Sequence, residues 1–236
     1  MNNILTIGKK ELKSNFLSPV AYIVIVVFLI ITGWFFTSNL FLAGVVSMRT
    51  VFEIIPFIFL FYVPAISMRT FSEEKKSGTI ELLLTRPVTD GNIVLGKFFA
   101  TLMLAVFTLL PTLIYVFSLT SLGSIDVGPV FTSYLGLILM ASLYISIGIF
   151  CSSLTENQVI AFIISFLLVF ILFMMDKVLV YLPVGLASIL EFISTGSHFS
   201  ALARGVVDSR DVIYFVSGTI LFLLLTKFSV ERRKWS

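Results

Sequence analysis

Residues 69–97, RTFSEEKKSGTIELLLTRPVTDGNIVLGK, form the one long polar stretch between two apolar segments of membrane length. Nine charged side chains fall here: Arg69, Glu73, Glu74, Lys75, Lys76, Glu81, Arg86, Asp90 and Lys97. The run from Phe71 to Ser77 can carry the preceding helix past the membrane surface, until Gly78 interrupts it. Thr79 is a good N-cap for a new short helix over 80–85, and Glu81 puts negative charge in its first turn. Pro87 ends it and biases Arg86 to extended geometry. At 100° per residue, Ile80, Leu83, Leu84 and Pro87 share one face. Glu81 with Thr85, and Leu82 with Arg86, face elsewhere. Two readings stay open at this point. The outward face offers a leucine flanked by charges to a partner's pocket, or the short helix rests on the bilayer surface.

Working outward, the chain is 58% hydrophobic and 12% charged, where a soluble domain is about a quarter charged. So little polar surface cannot cover a water-facing globule, which places the 236 residues in a bilayer as one membrane domain. The net charge of +3 is too modest for a nucleic-acid footprint. Cys151 is the single cysteine, which excludes an intramolecular disulfide and a cysteine metal cluster. The first apolar run is too long for the core of a cleaved signal, so none is expected.

Six segments have the roughly 20 apolar residues that a membrane helix needs, over about 19–42, 50–68, 93–119, 130–151, 158–175 and 211–229. An all-α, six-helix membrane domain over 19–229 is therefore expected. Pro56 and Pro64 are expected to kink the second helix. Residues 1–18 carry an apolar stripe (Ile4, Leu5, Gly8, Leu12, Phe16) with Lys9, Lys10 and Lys13 away from it, as an interfacial helix would. Residues 176–210 are broken by Pro183, Gly185, Gly196 and Gly205 and read as one or two short helices dipping into the outer interface. With both termini inside, twelve of the 16 Lys and Arg lie on cytoplasmic pieces; only Arg49, Lys177, Arg204 and Arg210 lie outside. That asymmetry predicts N-in and C-in, with 69–92 and the tail 230–236 cytoplasmic.

Other chemistry is poorly represented. Gly91 to Phe98 comes close to a phosphate-binding loop, but Phe98 stands where the metal-binding hydroxyl is required and no buried strand precedes it. Lys97 then reads as an anchor snorkelling to the interface. His198 lacks ligand spacing to Glu191 or Asp208 and reads as structural. Asp176 and Lys177 read as interface charges that pair with each other, and Glu53 as an interface residue within reach of Arg49. Segment four holds small residues (Ser133, Gly136, Ala141, Ser142, Ser146, Gly148) that form a packing seam. No internal repeat and no clear mid-membrane charge favours an ion-driven carrier. Paired nucleophile and base residues for a membrane enzyme are missing as well.

The run EEKKSGTIELLLTRPVTDGNIVLGK resembles the signature of type-2 ABC exporter (ABC-2) permeases. The matching residues are Glu73, Glu74, Lys75, Gly78, Thr79, Glu81, Leu82, Leu83, Pro87, Gly96 and Lys97. Glu11-Leu12, Ser18-Pro19, Asn157-Gln158 and HFSALARGVVDSRDVIYF over 198–215 extend the similarity along the chain. Within the family it looks most like permeases of the gliding-motility type, with the copper-maturation (nitrous oxide reductase) permeases nearby. The resemblance implies a permease subunit with no nucleotide site of its own, in the bacterial cytoplasmic membrane. It implies a cytoplasmic coupling helix that docks into a separate ATPase through Thr79, Ile80, Glu81, Leu82, Leu83, Thr85, Arg86 and Pro87. Glu73, Glu74, Lys75, Lys76, Ser77 and Gly78 would be the lever joining that helix to the second segment. It further implies two ATPase copies holding ATP and Mg, a second permease subunit as homodimer or heterodimer, and in some members an auxiliary membrane protein with a large outer domain. The cargo is unspecified. A non-transporting anchor for a motility or secretion complex is the alternative reading.

Overall fold

The computed structural model describes residues 2–79, 89–123, 126–181 and 183–232. The described chain is helical. An N-terminal helix α1 (Asn2–Leu17) leads into α2 (Pro19–Phe41), which starts with proline at its first position, where a missing amide costs nothing. The second apolar run forms α3 (Arg49–Ser67) and continues as the polar α4 (Arg69–Lys76). After the loop come α5 (Asp90–Leu109), a 3₁₀ turn at Leu110–Thr112 and α6 (Leu113–Leu122). Pro111 lies in that turn, where the absent amide and the ring break the α-helical ladder. Next are α7 (Val127–Leu154) and α8 (Gln158–Val178). Two short helices, α9 (Val184–Ile193) and α10 (Thr195–Ala203), precede the last long one, α11 (Ser209–Arg232).

Among the described residues, six helical stretches are long and apolar enough to cross a membrane: Pro19–Phe41, Arg49–Lys76, Asp90–Leu122, Val127–Leu154, Gln158–Val178 and Ser209–Arg232. They coincide with the six apolar runs. The third begins earlier than hydropathy suggested, because Thr89 caps α5 and its hydroxyl accepts from the Asn92 amide at 3.4 Å. Asp126, Asn157 and Ser194 cap α7, α8 and α10 in the same way. α3 remains one helix through both Pro56 and Pro64.

α7 is the central post, packed against α3, α4, α5, α8, α10 and α11. Its small residues permit this crowding. A Cβ on Gly148 would stand 1.9 Å from Ser67 Oγ, so α3 passes directly over the glycine. Gly136 faces Leu202 and Phe199 of α10 in the same manner. The seam expected in segment four is thus filled from within the chain. Around it, Leu137, Met140, Tyr144, Ile145, Phe59 and Leu60 are buried. On the far sides of α2, α8 and α11 the pattern reverses. Trp34, Ile163, Leu167, Ile213 and Phe228 are exposed on surfaces with almost no charge, as lipid-facing helices require. The protein is a multi-pass membrane protein. We call the end of the bundle that carries α1 and α4 proximal, and the end that carries α9 and α10 distal.

Candidate functional site

The polar stretch gathers three helices at the proximal end. α4 leaves the end of α3 with Met68 still in right-handed helical geometry. At the junction the Ser152 hydroxyl of α7 accepts from the amides of Phe71 and Ser72, each at 3.0 Å, and donates to the Met68 carbonyl at 2.8 Å. An inserted side chain of this kind offsets the helical ladder and fixes the direction in which α4 departs. Farther along, Lys75 Nζ donates to the Ser153 carbonyl at the end of α7, which Ser229 of α11 also reaches at 3.3 Å. A cation on the last carbonyls of a helix is favourable on charge grounds. Ser77 and Gly78 close α4. Gly78 takes φ +70°, the left-handed geometry that suits glycine at a helix end.

α4 then meets α1 and α5 through one buried lysine. Lys97 is 1% exposed, with Nζ 2.8 Å from Glu74 Oε1 and 3.2 Å from Glu11 Oε1. The same ammonium lies 5.2 Å from the centroid of the Phe71 ring. Taking these charges out of water costs several kcal/mol per ion, offset only because they meet each other. Lys97 is therefore no snorkelling anchor. Its preceding residue explains how α1 comes close enough. A Cβ on Gly96 would lie 2.7 Å from Ile7 Cγ2 and 3.3 Å from the Ile4 carbonyl, so only glycine lets α1 lie on α5 here. The Gly-Lys pair that mimicked a phosphate loop is a contact glycine followed by a buried cation.

Beside this cluster lies a cleft of about 250 Å³ between α1, α3, α4 and α5. Arg69 crosses it, with a two-pronged pair to Glu73 at 2.8 and 2.9 Å and a donated bond to Ser18 Oγ at 2.7 Å. Lys10, Ser77 and Thr79 share the lining. Glu74 Oε2 is buried and accepts no hydrogen bond among the described residues. These ion pairs and hydrogen bonds hold α1, α3, α4 and α5 together in one joint. The described residues include no group of three His, Cys, Asp or Glu placed to hold a metal.

Of the residues expected to form the lever, Glu73, Glu74 and Ser77 line this cleft, Lys75 bonds the end of α7 and Gly78 closes α4. Lys76 is exposed and turns instead toward the α7–α8 turn at Glu156 and Asn157. Thr79 is exposed, and its hydroxyl contacts Ser77 Oγ at 2.9 Å and the Glu74 carbonyl at 3.4 Å. Ile80, Glu81, Leu82, Leu83, Thr85, Arg86 and Pro87 lie outside the described residues. Glu11, Ser18, Phe71 and Ser152 belong to the joint and were not assigned to it from sequence. Glu11 carried a signal, as the lone acid among residues 1–18.

The six apolar helices agree with a comparison against protein families. The model for the ABC-2 family transporter protein matches residues 14–230, nearly the whole chain. The chain belongs to the ABC-2 transporter family. It is accordingly the permease component of an ABC transporter, a membrane transport component, and family membership implies partnership with an ABC ATP-binding subunit. Comparison with curated proteins finds no match.

A second polar cluster of this ABC-2 permease lies at the distal end. His198 Nδ1 is 2.7 Å from Asp211 Oδ1, and Nε2 is 3.0 Å from the Phe192 carbonyl. Its ring stacks on Tyr214 with centroids 4.1 Å apart. The histidine does have a carboxylate partner, but on α11, beyond the Glu191 and Asp208 considered from spacing. Asp176 pairs with Lys177 at 2.9 Å, and its carboxylate fills the space a Cβ on Gly196 would need. Glu53 pairs with Arg49 at 3.0 Å in the open. The His198 and Asp176 contacts tie α9 and α10 to α8 and α11.

Proposed function

We propose that this ABC-2 permease is the membrane subunit of an ATP-driven exporter in the bacterial cytoplasmic membrane, and that α4 is its lever. The observation that carries this reading is the Lys97–Glu74–Glu11 cluster. α4 continues α3 through Met68, and the cluster clamps it to α1 and α5. A push delivered at 79–87 then reaches three helices together.

The stretch Thr79, Ile80, Glu81, Leu82, Leu83, Thr85, Arg86 and Pro87 is the contact for the ATPase in this reading. ATP and Mg belong to that separate chain, in two copies, opposite two permease subunits that are alike or different. Closure of the ATPase pair favours one of two arrangements of the permease halves, and hydrolysis returns the other. The gliding-motility resemblance adds a specialised cargo or an auxiliary envelope protein to this scheme. It also supports a second role, as an anchor that spends ATP on a complex without moving a cargo.

The test is co-purification with the ATP-binding subunit. Glu81→Lys with Leu82→Lys abolishes association if the stretch docks, whereas full association would sink the docking role. Nucleotide hydrolysis by the intact complex, with and without cargo movement into sealed vesicles, separates export from anchoring.

A further inference from the structure

α1 lies along the start of α5. Ile7 sits over Gly96, Glu11 meets Lys97, and Phe16 packs edge-on against Phe107 with centroids 5.6 Å apart. On the outward side of this contact the two helices leave a groove of about 470 Å³. Its walls are Leu5, Gly8, Leu12, Phe99 and Met103, with Lys9 as the charged side chain at its edge. Leu5, Phe99 and Met103 are 61%, 49% and 53% exposed, so an apolar trough lies open beside a membrane-crossing helix. Lys13 stands one turn from Lys9 on the same side of α1, and both are exposed. Lys10 lines the other cleft, and Glu11, the lone acid of 1–18, is engaged by Lys97. Lys9 therefore stands at the lip of the groove with Lys13 one turn farther along α1, and no acid of α1 neutralises them.

We propose that this groove is a binding site for one anionic phospholipid, its acyl chain in the trough and its phosphate on Lys9 and Lys13. Charge and shape select this occupant. The trough is apolar along its length, which suits a hydrocarbon chain. Cations stand at its polar edge, where a headgroup would sit beside an interfacial helix. The site secures α1 against α5 from the lipid side, opposite the Lys97 cluster that secures it from within.

The test uses the full chain in detergent, with phosphatidylglycerol and phosphatidylcholine of identical acyl chains followed by native mass spectrometry. One phosphatidylglycerol is expected to stay bound under conditions that strip phosphatidylcholine, and excess inorganic phosphate leaves it in place. Replacing Lys9→Gln and Lys13→Gln is expected to lower phosphatidylglycerol affinity about fivefold per lysine. Leu5→Glu, at an exposed position, lowers retention of both lipids with the melting temperature unchanged. Equal retention of the two lipids, or insensitivity to the lysine variants, overturns the proposal. So does displacement by inorganic phosphate, which marks a bare anion site, or burial of Leu5 against a second copy in lipid-free detergent, which marks a protein interface.

Discussion

Lys97 Nζ and Glu74 Oε1 lie 2.8 Å apart, although 23 residues separate them and the lysine is 1% exposed. With Glu11 as second acceptor, this one cation joins α1, α4 and α5. Removing it leaves two carboxylates facing each other in a buried site. Lys97→Met is therefore expected to destabilise the protein by about 3–5 kcal/mol. Replacing all three charges, Lys97→Met with Glu74→Gln and Glu11→Gln, recovers most of that loss. Reversible denaturant unfolding in detergent micelles checks both, and equal losses for the single and triple variants would contradict the ion-cluster reading.

Gly96 is held to glycine by Ile7. Gly96→Ala brings a Cβ to 2.7 Å from Ile7 Cγ2 and is expected to cost about 1–3 kcal/mol. Ile7→Ala opens that space, so the double variant should be more stable than the sum of the singles implies. A double-mutant cycle on unfolding free energies reads the coupling, and simple additivity would place α1 elsewhere.

Ser152 serves two buried amides and one carbonyl where α3 becomes α4. Ser152→Ala strands those donors at a cost of about 1–3 kcal/mol, while Ser152→Thr keeps the hydroxyl. Hydrogen exchange should rise at Phe71 and Ser72 in the alanine variant first. Unchanged protection there would remove Ser152 from the joint.

At the distal end, His198 presents each ring nitrogen to an oxygen, one on α11 and one at the end of α9. His198→Ala should free both, and limited proteolysis should cut first within 184–203. Asp211→Asn keeps the shape and should give a smaller effect in the same place. Cleavage that starts in another segment would show that the histidine is no tie.

The helices were legible because membrane length and apolar runs are local properties. Glycine placement likewise located the end of α4 at Gly78, whereas the break at Pro111 went unread and α3 runs on through Pro56 and Pro64. What local reading could not see was partnership across the chain. Lys97 looked like an interface anchor because Glu11 and Glu74 are far from it in sequence. Gly96 drew notice within a rejected near-match to a phosphate loop, not as a contact glycine, because Ile7, which makes the glycine necessary, belongs to another helix. His198 was weighed against Glu191 and Asp208, but the turn into α11 brings Asp211 to it. The small residues of segment four were read as a seam, and only packing showed that Ser67, Phe199 and Leu202 fill it.

In the proposed function, the Lys97 cluster transmits motion from the ATPase contact to the membrane helices. Spin labels at Lys76 and Ser200, in a Cys151→Ser background and in complex with the ATP-binding subunit, test it most directly by pulsed distance measurement. Wild-type permease is expected to show a distance change between the nucleotide-free and the ATP–vanadate state. The triple variant Lys97→Met, Glu74→Gln, Glu11→Gln should keep nucleotide hydrolysis and lose that change. The same distance change in the triple variant would rule out transmission through the cluster.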